Sequence, residues 1–273
     1  MNDASFVTIR NVTKKYRVKG GEVTAIDNLS IDIKRDEFVS ILGPSGCGKS
    51  TLIMMVAGLA STTSGRIFIN GVGVTKPQTE LGIVFQQPML LDWRTIKANL
   101  MLQAEVRKLD PSIFEGKAQK LLERVGLGAF AERYPFELSG GMQQRASICR
   151  ALLHDPPLLL MDEPFGALDA MTRDDLNLEL QDIWRSSPKT VLFVTHSISE
   201  AVFLSDRVIV MSPRPGRVAA EVEIDLPRPR DLRSRETPEF GAYTNKIRDI
   251  FESLAVVRRY TEPQAQPGVA LHG

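Results

Sequence analysis

Gly43-Pro44-Ser45-Gly46-Cys47-Gly48-Lys49-Ser50-Thr51 follows the apolar run Phe38-Val39-Ser40-Ile41-Leu42 and leads into Leu52-Ile53-Met54-Met55-Val56-Ala57, which Gly58 ends. The spacing G-x-x-x-x-G-K-[ST] runs from Gly43 to Ser50, and its context is strand, loop, helix. Glycines at 43, 46 and 48 let the backbone curl into a nest whose N–H groups converge on phosphate oxygens. The helix start behind the nest adds its partial positive charge. Lys49 is placed to reach the β- and γ-phosphates, and the Ser50 hydroxyl to ligate Mg²⁺, as in other phosphate loops. A plain glycine turn before a buried helix would leave the Lys49-Ser50 pair without a reason. The stretch therefore predicts a nucleoside triphosphate site on an α/β fold.

Working outward, the chain of 273 residues has room for one large domain or a domain with an appendage. Hydrophobic residues make up 43% and charged residues 25%, which excludes disordered and fibrous classes. A net charge of +1 gives no electrostatic footprint for wholesale binding of nucleic acid or a membrane surface. No apolar run has the length of a membrane-spanning helix, and Met1-Asn2-Asp3-Ala4-Ser5-Phe6 lacks the basic and apolar regions of a signal peptide, so a cytosolic chain is expected. The two cysteines, Cys47 and Cys149, form neither a disulfide framework nor a metal pattern, and Cys47 reads as a small filler.

Before the loop, Phe6-Val7-Thr8-Ile9-Arg10, Val12 and Lys14 to Val18 lead through Gly20-Gly21 to Val23-Thr24-Ala25-Ile26 and Leu29-Ser30-Ile31-Asp32-Ile33. The alternation predicts antiparallel strands packed on one face. Tyr16 is either an ordinary strand aromatic or a flat face for a base. After the loop helix, strands are expected at Arg66 to Gly71 and Leu81 to Phe85, the latter ending in Gln86-Gln87-Pro88. Helical patterns then run from about Thr95 to Leu153, with Asp110-Pro111 as a helix start. Such a block between strands suggests a subdomain able to move against the core. Inside it, Leu138-Ser139-Gly140-Gly141-Met142 opens a helix and offers a second anion-receiving end.

Leu158-Leu159-Leu160-Met161 reads as a strand buried on both faces, and Asp162-Glu163-Pro164 follows at its carboxyl end, where open α/β sheets bind ligands. There Asp162 can hold Mg²⁺ and Glu163 can polarise a water. Thr190 to Val194 is a second such strand, and it ends in Thr195-His196-Ser197, so His196 shares an edge with the two acids. Leu176, Leu180, Ile183 and Trp184 mark the core face of the helix between them. A further helix near Ile198 to Leu204 and a strand from Arg207 to Met211 complete the pattern. From about Leu226 to Glu236 arginines, acids and prolines alternate. Its arginines are able to meet phosphate or lipid, but the interleaved acids favour a solvated connector. Thr237-Pro238 opens a helix whose Phe240, Tyr243, Ile247, Ile250, Phe251 and Leu254 suit docking on the domain, and the last dozen residues read as frayed.

With the phosphate loop, Leu138 to Met142, Met161-Asp162-Glu163-Pro164, Ala167-Leu168-Asp169 and His196 in this order, residues 5 to 225 resemble the ATPase subunit of ATP-binding cassette (ABC) transporters. The resemblance implies a phosphate-loop NTPase core with a mainly parallel sheet, an N-terminal antiparallel β subdomain and an inserted α-helical subdomain near residues 88–155. Residues 1–225 would be the ATPase domain, and 226–273 a linker, a docking helix and a tail. It further implies ATP and Mg²⁺, with Tyr16 stacked on adenine and Gly43 through Thr51 around the phosphates. Ser50, Gln86 and Asp162 would serve the metal, Gln86 also touching the water and the membrane partner. Glu163 would be the general base and His196 the sensor of the γ-phosphate. Two copies would face head to tail, so Ser139, Gly140, Gly141 and Asp169 would act across the dimer.

A finer likeness is to importer subunits of the nitrate, sulfonate and taurine group, through Met142, Pro164 to Asp169, and Ser212-Pro213-Arg214-Pro215-Gly216-Arg217. It implies uptake of a small anionic or organosulfur solute. The partners would be an integral-membrane permease and, indirectly, a solute-binding protein, with the subunit peripheral on the cytoplasmic face of the inner membrane. Two positions depart from the family's pattern. Met142 stands where glutamine is frequent, and Asp92 where proline is common, beside Met89, Leu90, Leu91 and Trp93, which would receive a short permease helix or simply pack as a loop. Cassette ATPases that act on nucleic acid or ribosomes are the alternative. They usually carry insertions, basic arms or a second cassette, so no nucleic-acid partner is expected. A nucleotide-gated binder without hydrolysis sits badly with Glu163 and His196, and a small-molecule kinase leaves Leu138 to Met142 unexplained.

Overall fold

Long alternating apolar sequences at the start form two strands, β1 (Ser5–Val18) and β2 (Gly21–Lys34), paired antiparallel across the Lys19-Gly20 turn. The computed structural model describes residues 5–256. The all-buried β3 (Phe38–Leu42) carries the phosphate loop into α1 (Lys49–Val56). Then come β4 (Ser64–Ile69), β5 (Val72–Gly73) and β6 (Leu81–Val84). Three helices follow: α2 (Ile96–Arg107), α3 (Pro111–Arg124) and α4 (Gly140–Leu152). The remainder is β7 (Leu158–Asp162), α5 (Ala170–Ser186), β8 (Thr190–Thr195), α6 (Ile198–Leu204), β9 (Arg207–Met211), β10 (Val218–Glu223) and α7 (Pro238–Ser253).

These strands make two sheets. The antiparallel sheet has the order β2-β1-β4-β5. The larger sheet has the order β10-β9-β3-β8-β7-β6, parallel except for the β10 edge. Strands in its middle are mostly apolar because both faces are covered. In β3, Val39 and Ile41 face the cluster shared with the antiparallel sheet and α1, while Phe38 and Leu42 face the cluster shared with the later helices. β7 splits likewise, with Leu158 and Leu160 on one side and Leu159 and Met161 on the other. Helix α1 is thus wedged between the sheets, and the loop ahead of it is held from both.

The helical block enters between the neighbouring strands β6 and β7. Thr95 caps α2, Asp110 caps α3 with Pro111 in its first turn, and Ser139 caps α4, each side chain accepting a backbone N–H. Leu100, Ala104, Ala118, Leu122 and Ile148 belong to the same buried cluster as Phe193 and Phe203 of the core, so the block has no hydrophobic core of its own. Among the described residues no helix is long and apolar enough to cross a membrane.

The stretch 226–236, expected as a solvated connector, is instead anchored to the domain through Arg228 and Arg230 while its other residues stay partly or fully exposed. Arg230 is only 2% exposed. Its guanidinium donates to the carbonyls of Val202 (2.8 Å), Phe203 (3.1 Å) and Ser205 (2.8 Å) at the end of α6, and to Ile224 and Leu226. Those carbonyls lie at the negative end of a helix, where a buried cation is best matched. Burial lowers the Arg230 pKa to about 10, which leaves it charged at neutral pH. Gln181 and the Arg230 backbone exchange two 2.7 Å bonds, and Arg228 pairs with Asp206 at 2.8 Å. Arg228 and Arg230 therefore bind protein carbonyls and an acid, while Arg233 stays exposed. Downstream, Phe240, Ile247 and Phe251 of α7 enter the main cluster, with Tyr243, Ile250 and Leu254 packed beside them. The frayed end expected for the last dozen residues lies outside the described residues.

Candidate active site

At the carboxyl edge of the parallel sheet, β3 ends in the phosphate loop, β7 in Asp162-Glu163 and β8 in His196. Because β7 lies one strand from β8, and β8 one from β3, the sheet order itself gathers these residues. Gly48 precedes α1 at φ 101°, and a Cβ there would come within 2.7 Å of Ile26, so the turn into the helix accepts only glycine. Helix α1 has no side-chain cap, which leaves the N–H groups of its first turn to a ligand.

Lys49 Nζ donates to the carbonyls of Gly43 (2.8 Å) and Pro44 (3.1 Å) and stands 3.7 Å from Glu163 Oε1. From the other side, His196 Nδ1 lies 3.3 Å from Glu163 Oε2. Glu163 itself sits in the left-handed region at φ 46°, a conformation that costs a non-glycine residue energy, and its N–H is tied to the Val194 carbonyl at 2.9 Å. The strained backbone aims the carboxylate between a cation and an imidazole. Ser50 Oγ donates to Asp162 Oδ1 at 3.0 Å. Burial raises the Asp162 pKa, opposed by the Ser50 hydrogen bond. Two hard oxygen ligands facing each other at a partly buried point is a donor set that fits Mg²⁺.

Tyr16, 41% exposed, closes the far side of the loop with its hydroxyl 3.4 Å from Thr51 Oγ1. Together with Val23, Ala25, Ser45, Gly46 and Lys49 it lines a cleft of about 260 Å³. Cys47 is fully buried beneath the loop, and burial pushes its thiol pKa up, so it offers a ligand only its backbone. Gln86 approaches the same edge: a methyl placed on Gly166 would lie 3.5 Å from its amide nitrogen and 3.7 Å from Glu163 Oε2.

Ser139, Gly140, Gly141 and Asp169 do not line that cleft. They meet one another instead. Ser139 accepts the Met142 N–H at 3.3 Å, Asp169 accepts from Thr172 N and Oγ1 at 3.0 and 2.7 Å, and Gly141 is pressed on Thr172 so closely that a Cβ would reach it at 2.6 Å. The hydrogen bonds from Thr172 hold the Asp169 pKa below the usual carboxylate value.

Some residues of the site had no assigned role at this edge from the sequence. Gln144 of α4 donates to the Phe85 carbonyl at 3.2 Å, and Arg150 donates to Met89 and Pro88 carbonyls at 2.7 and 2.9 Å, so α4 grips both sides of Gln86. Arg214 lines the nucleotide cleft although it follows β9. The helix opened by Ser139 and the Gln86 loop are thus joined by hydrogen bonds from Gln144 and Arg150, a link that only the tertiary contacts reveal.

Residues 26–166 match the family model described as ABC transporter. The chain belongs to the ABC transporter family. Its relatives agree with the finer likeness. An uncharacterized ABC transporter ATP-binding protein of Methanocaldococcus jannaschii is 46% identical, covering 89% of this chain and 90% of the relative. The aliphatic sulfonates import ATP-binding protein SsuB of Bacillus cereus is 41% identical over 90% of this chain and 96% of its own length. The taurine import ATP-binding protein TauB of Roseobacter denitrificans is 42% identical, with 88% and 92% covered. A solved ATP-binding cassette, a dimer in a post-hydrolysis state bound to ADP and Pi, superposes with a TM-score of 0.72 at 33% identity, covering 81% of this chain and 99% of that one. The expected ABC ATPase fold is present, and this cassette is an ATP-binding subunit with ATPase activity.

Proposed function

We propose that this cassette powers a membrane importer for a small anionic or organosulfur solute such as a sulfonate, taurine or nitrate. It would act as one of two copies joined head to tail around ATP. The observation that carries the hydrolytic part is Glu163, held between Lys49 at 3.7 Å and His196 at 3.3 Å beside the phosphate cradle. Loop N–H groups and Lys49 bind the β- and γ-phosphates and neutralise charge as it moves toward the leaving ADP. Glu163 takes a proton from the attacking water as that oxygen bonds to the γ-phosphorus and the bond to ADP breaks. His196 orients Glu163 and links it to the terminal phosphate.

Ser50 and Asp162 would hold Mg²⁺, with Gln86 beside them. When bound, the ion would supply Lewis-acid charge neutralisation at the phosphates. The relatives named for sulfonate and taurine import support the solute class. Met89 and Trp93 stay exposed next to the loop gripped by Gln144 and Arg150, which suits a permease helix seated there on the cytoplasmic side. A solute-binding protein would deliver the solute to that permease.

Two tests separate the parts of this reading. Glu163→Gln is expected to lose turnover while keeping MgATP binding. Deleting the gene is expected to abolish growth on a sulfonate or taurine as sole sulfur source, or on nitrate as sole nitrogen source, with restoration by the wild-type gene. Unchanged growth on all of these solutes would refute the solute class and leave the ATPase assignment intact.

A further inference from the structure

The segment Ser212 to Arg217 marks a likeness in sequence, but its place in the fold gives it a task. It leaves β9 at the same sheet edge as the phosphate loop and folds back on that loop. Gly216 N–H donates to the Ala25 carbonyl at 2.9 Å, and the Gly216 carbonyl accepts from Asp27 N–H at 3.0 Å. A Cβ on Gly216 would stand 2.0 Å from the Cys47 carbonyl oxygen, so this contact with the loop needs glycine. The Ser212 hydroxyl donates to Pro213 and Pro215 carbonyls at 3.1 Å and accepts the Arg217 N–H at 3.1 Å, and Arg217 pairs with Asp27. The segment is therefore clamped at both ends, to itself and to β2.

At its tip Arg214 reaches over the phosphate loop. Its Nε donates to the Gly46 carbonyl at 3.3 Å, and it lines the cleft of about 260 Å³ with Tyr16, Ser45 and Lys49. The two terminal guanidinium nitrogens have no hydrogen-bond or ion-pair partner among the described residues. Lys49 is the other cation of this cleft, and Glu163 its one acid. An always-charged planar donor fixed at the rim of a phosphate cradle matches phosphate oxygens in charge and geometry. We propose that Arg214 is a further nucleotide-binding residue, which clips the phosphate loop through Gly46 and donates its free N–H groups to the phosphate tail of the bound nucleotide.

This rests on the ATPase reading of the same cleft, and the test keeps the two apart. Affinities for MgATP, MgADP and AMP are measured by titration calorimetry for the wild type, Lys49→Ala, Arg214→Ala, Arg214→Gln and Arg214→Lys, with the melting temperature of each variant without nucleotide. Wild-type binding that Lys49→Ala removes upholds the site itself. Arg214→Ala is then expected to weaken MgATP and MgADP by about three- to tenfold, as for a partly solvated charge-assisted contact. AMP should change little. Arg214→Gln, which keeps a donor for Gly46 but no charge, should bind as weakly as Arg214→Ala and show a shallower salt dependence than wild type. Arg214→Lys should recover part of the loss. Wild-type affinity for MgATP and MgADP in Arg214→Gln overturns the proposal, and so does an equal loss for AMP, because that places the contact on base or ribose.

Discussion

Two helix starts in this cassette are made of similar residues and differ in what surrounds them. Helix α1 begins at Gly48 with no side-chain cap, and Lys49, Asp162, Glu163 and His196 stand about it. Helix α4 begins at Ser139, which spends its hydroxyl on the Met142 N–H, and its first turn of Gly140, Gly141, Met142 and Gln143 brings no cation and no acid. The first start can bind a triphosphate by itself. The second has an exposed Ser139 and Gly140 and a favourable dipole, which under the proposed function would meet a phosphate held by another copy. The difference fits the proposal that each chain contributes two separate halves to sites shared between copies.

The strongest way to break this comparison acts on the first start. Glu163→Gln is expected to lower steady-state ATP turnover by about 10²- to 10⁴-fold, the range for loss of a general base, with MgATP affinity retained in a filter-binding assay. Wild-type turnover in that variant would remove Glu163 from its role. Next, Lys49→Ala should weaken MgATP and MgADP binding by about 100-fold, since two phosphates lose a charge-assisted partner. A change at the second start should behave differently. Ser139→Ala is expected to reduce turnover about tenfold, yet leave MgADP affinity of the single subunit at the wild-type value, because Ser139 does not touch its own cleft. Equal losses in both measurements would mean that the two starts serve one subunit's pocket.

The smallest effect concerns how the second start is anchored. Arg145 of α4 pairs with Glu179 of α5 at 3.1 Å. Burial raises the Glu179 pKa to about 7, against the opposing pull of Arg145. The folded state then holds a proton that the unfolded chain releases near 4.5, so this group makes stability fall as pH rises from about 4.5 to about 7. Glu179→Gln should flatten that fall by about 1 to 2 kcal/mol in urea denaturation at pH 5 and 8, a figure reduced for the exposed part of the side chain. An unaltered pH profile would show that Glu179 is ionised throughout.

What was legible in the sequence was local. The Asp110-Pro111 helix start, the strand ending in Asp162, the helix from Ile198 to Leu204 and the phosphate loop each announce themselves through residues a few positions apart. Residues that work over long separations did not. Arg230 reads as part of a charged connector, because nothing nearby in the chain reveals the α6 carbonyls it binds. Arg214 reads as a family mark, because the contact that needs glycine at 216 is with Cys47, far back in the chain. The grip of Gln144 and Arg150 on the Gln86 loop is likewise visible only once α4 packs against β6. Ser139 and Asp169 were legible as residues, and the family resemblance already implied that they act across a dimer and not in their own cleft, which they do not line.

A site shared between two copies is the central proposal. Light scattering of Glu163→Gln in saturating MgATP tests it most directly. The expected mass is twice the 30.3 kDa of one chain, falling back to one chain when Ser139→Arg is added to the same variant. A mass of 30.3 kDa for Glu163→Gln with MgATP, or a dimer indifferent to Ser139→Arg, would contradict a site shared between two copies.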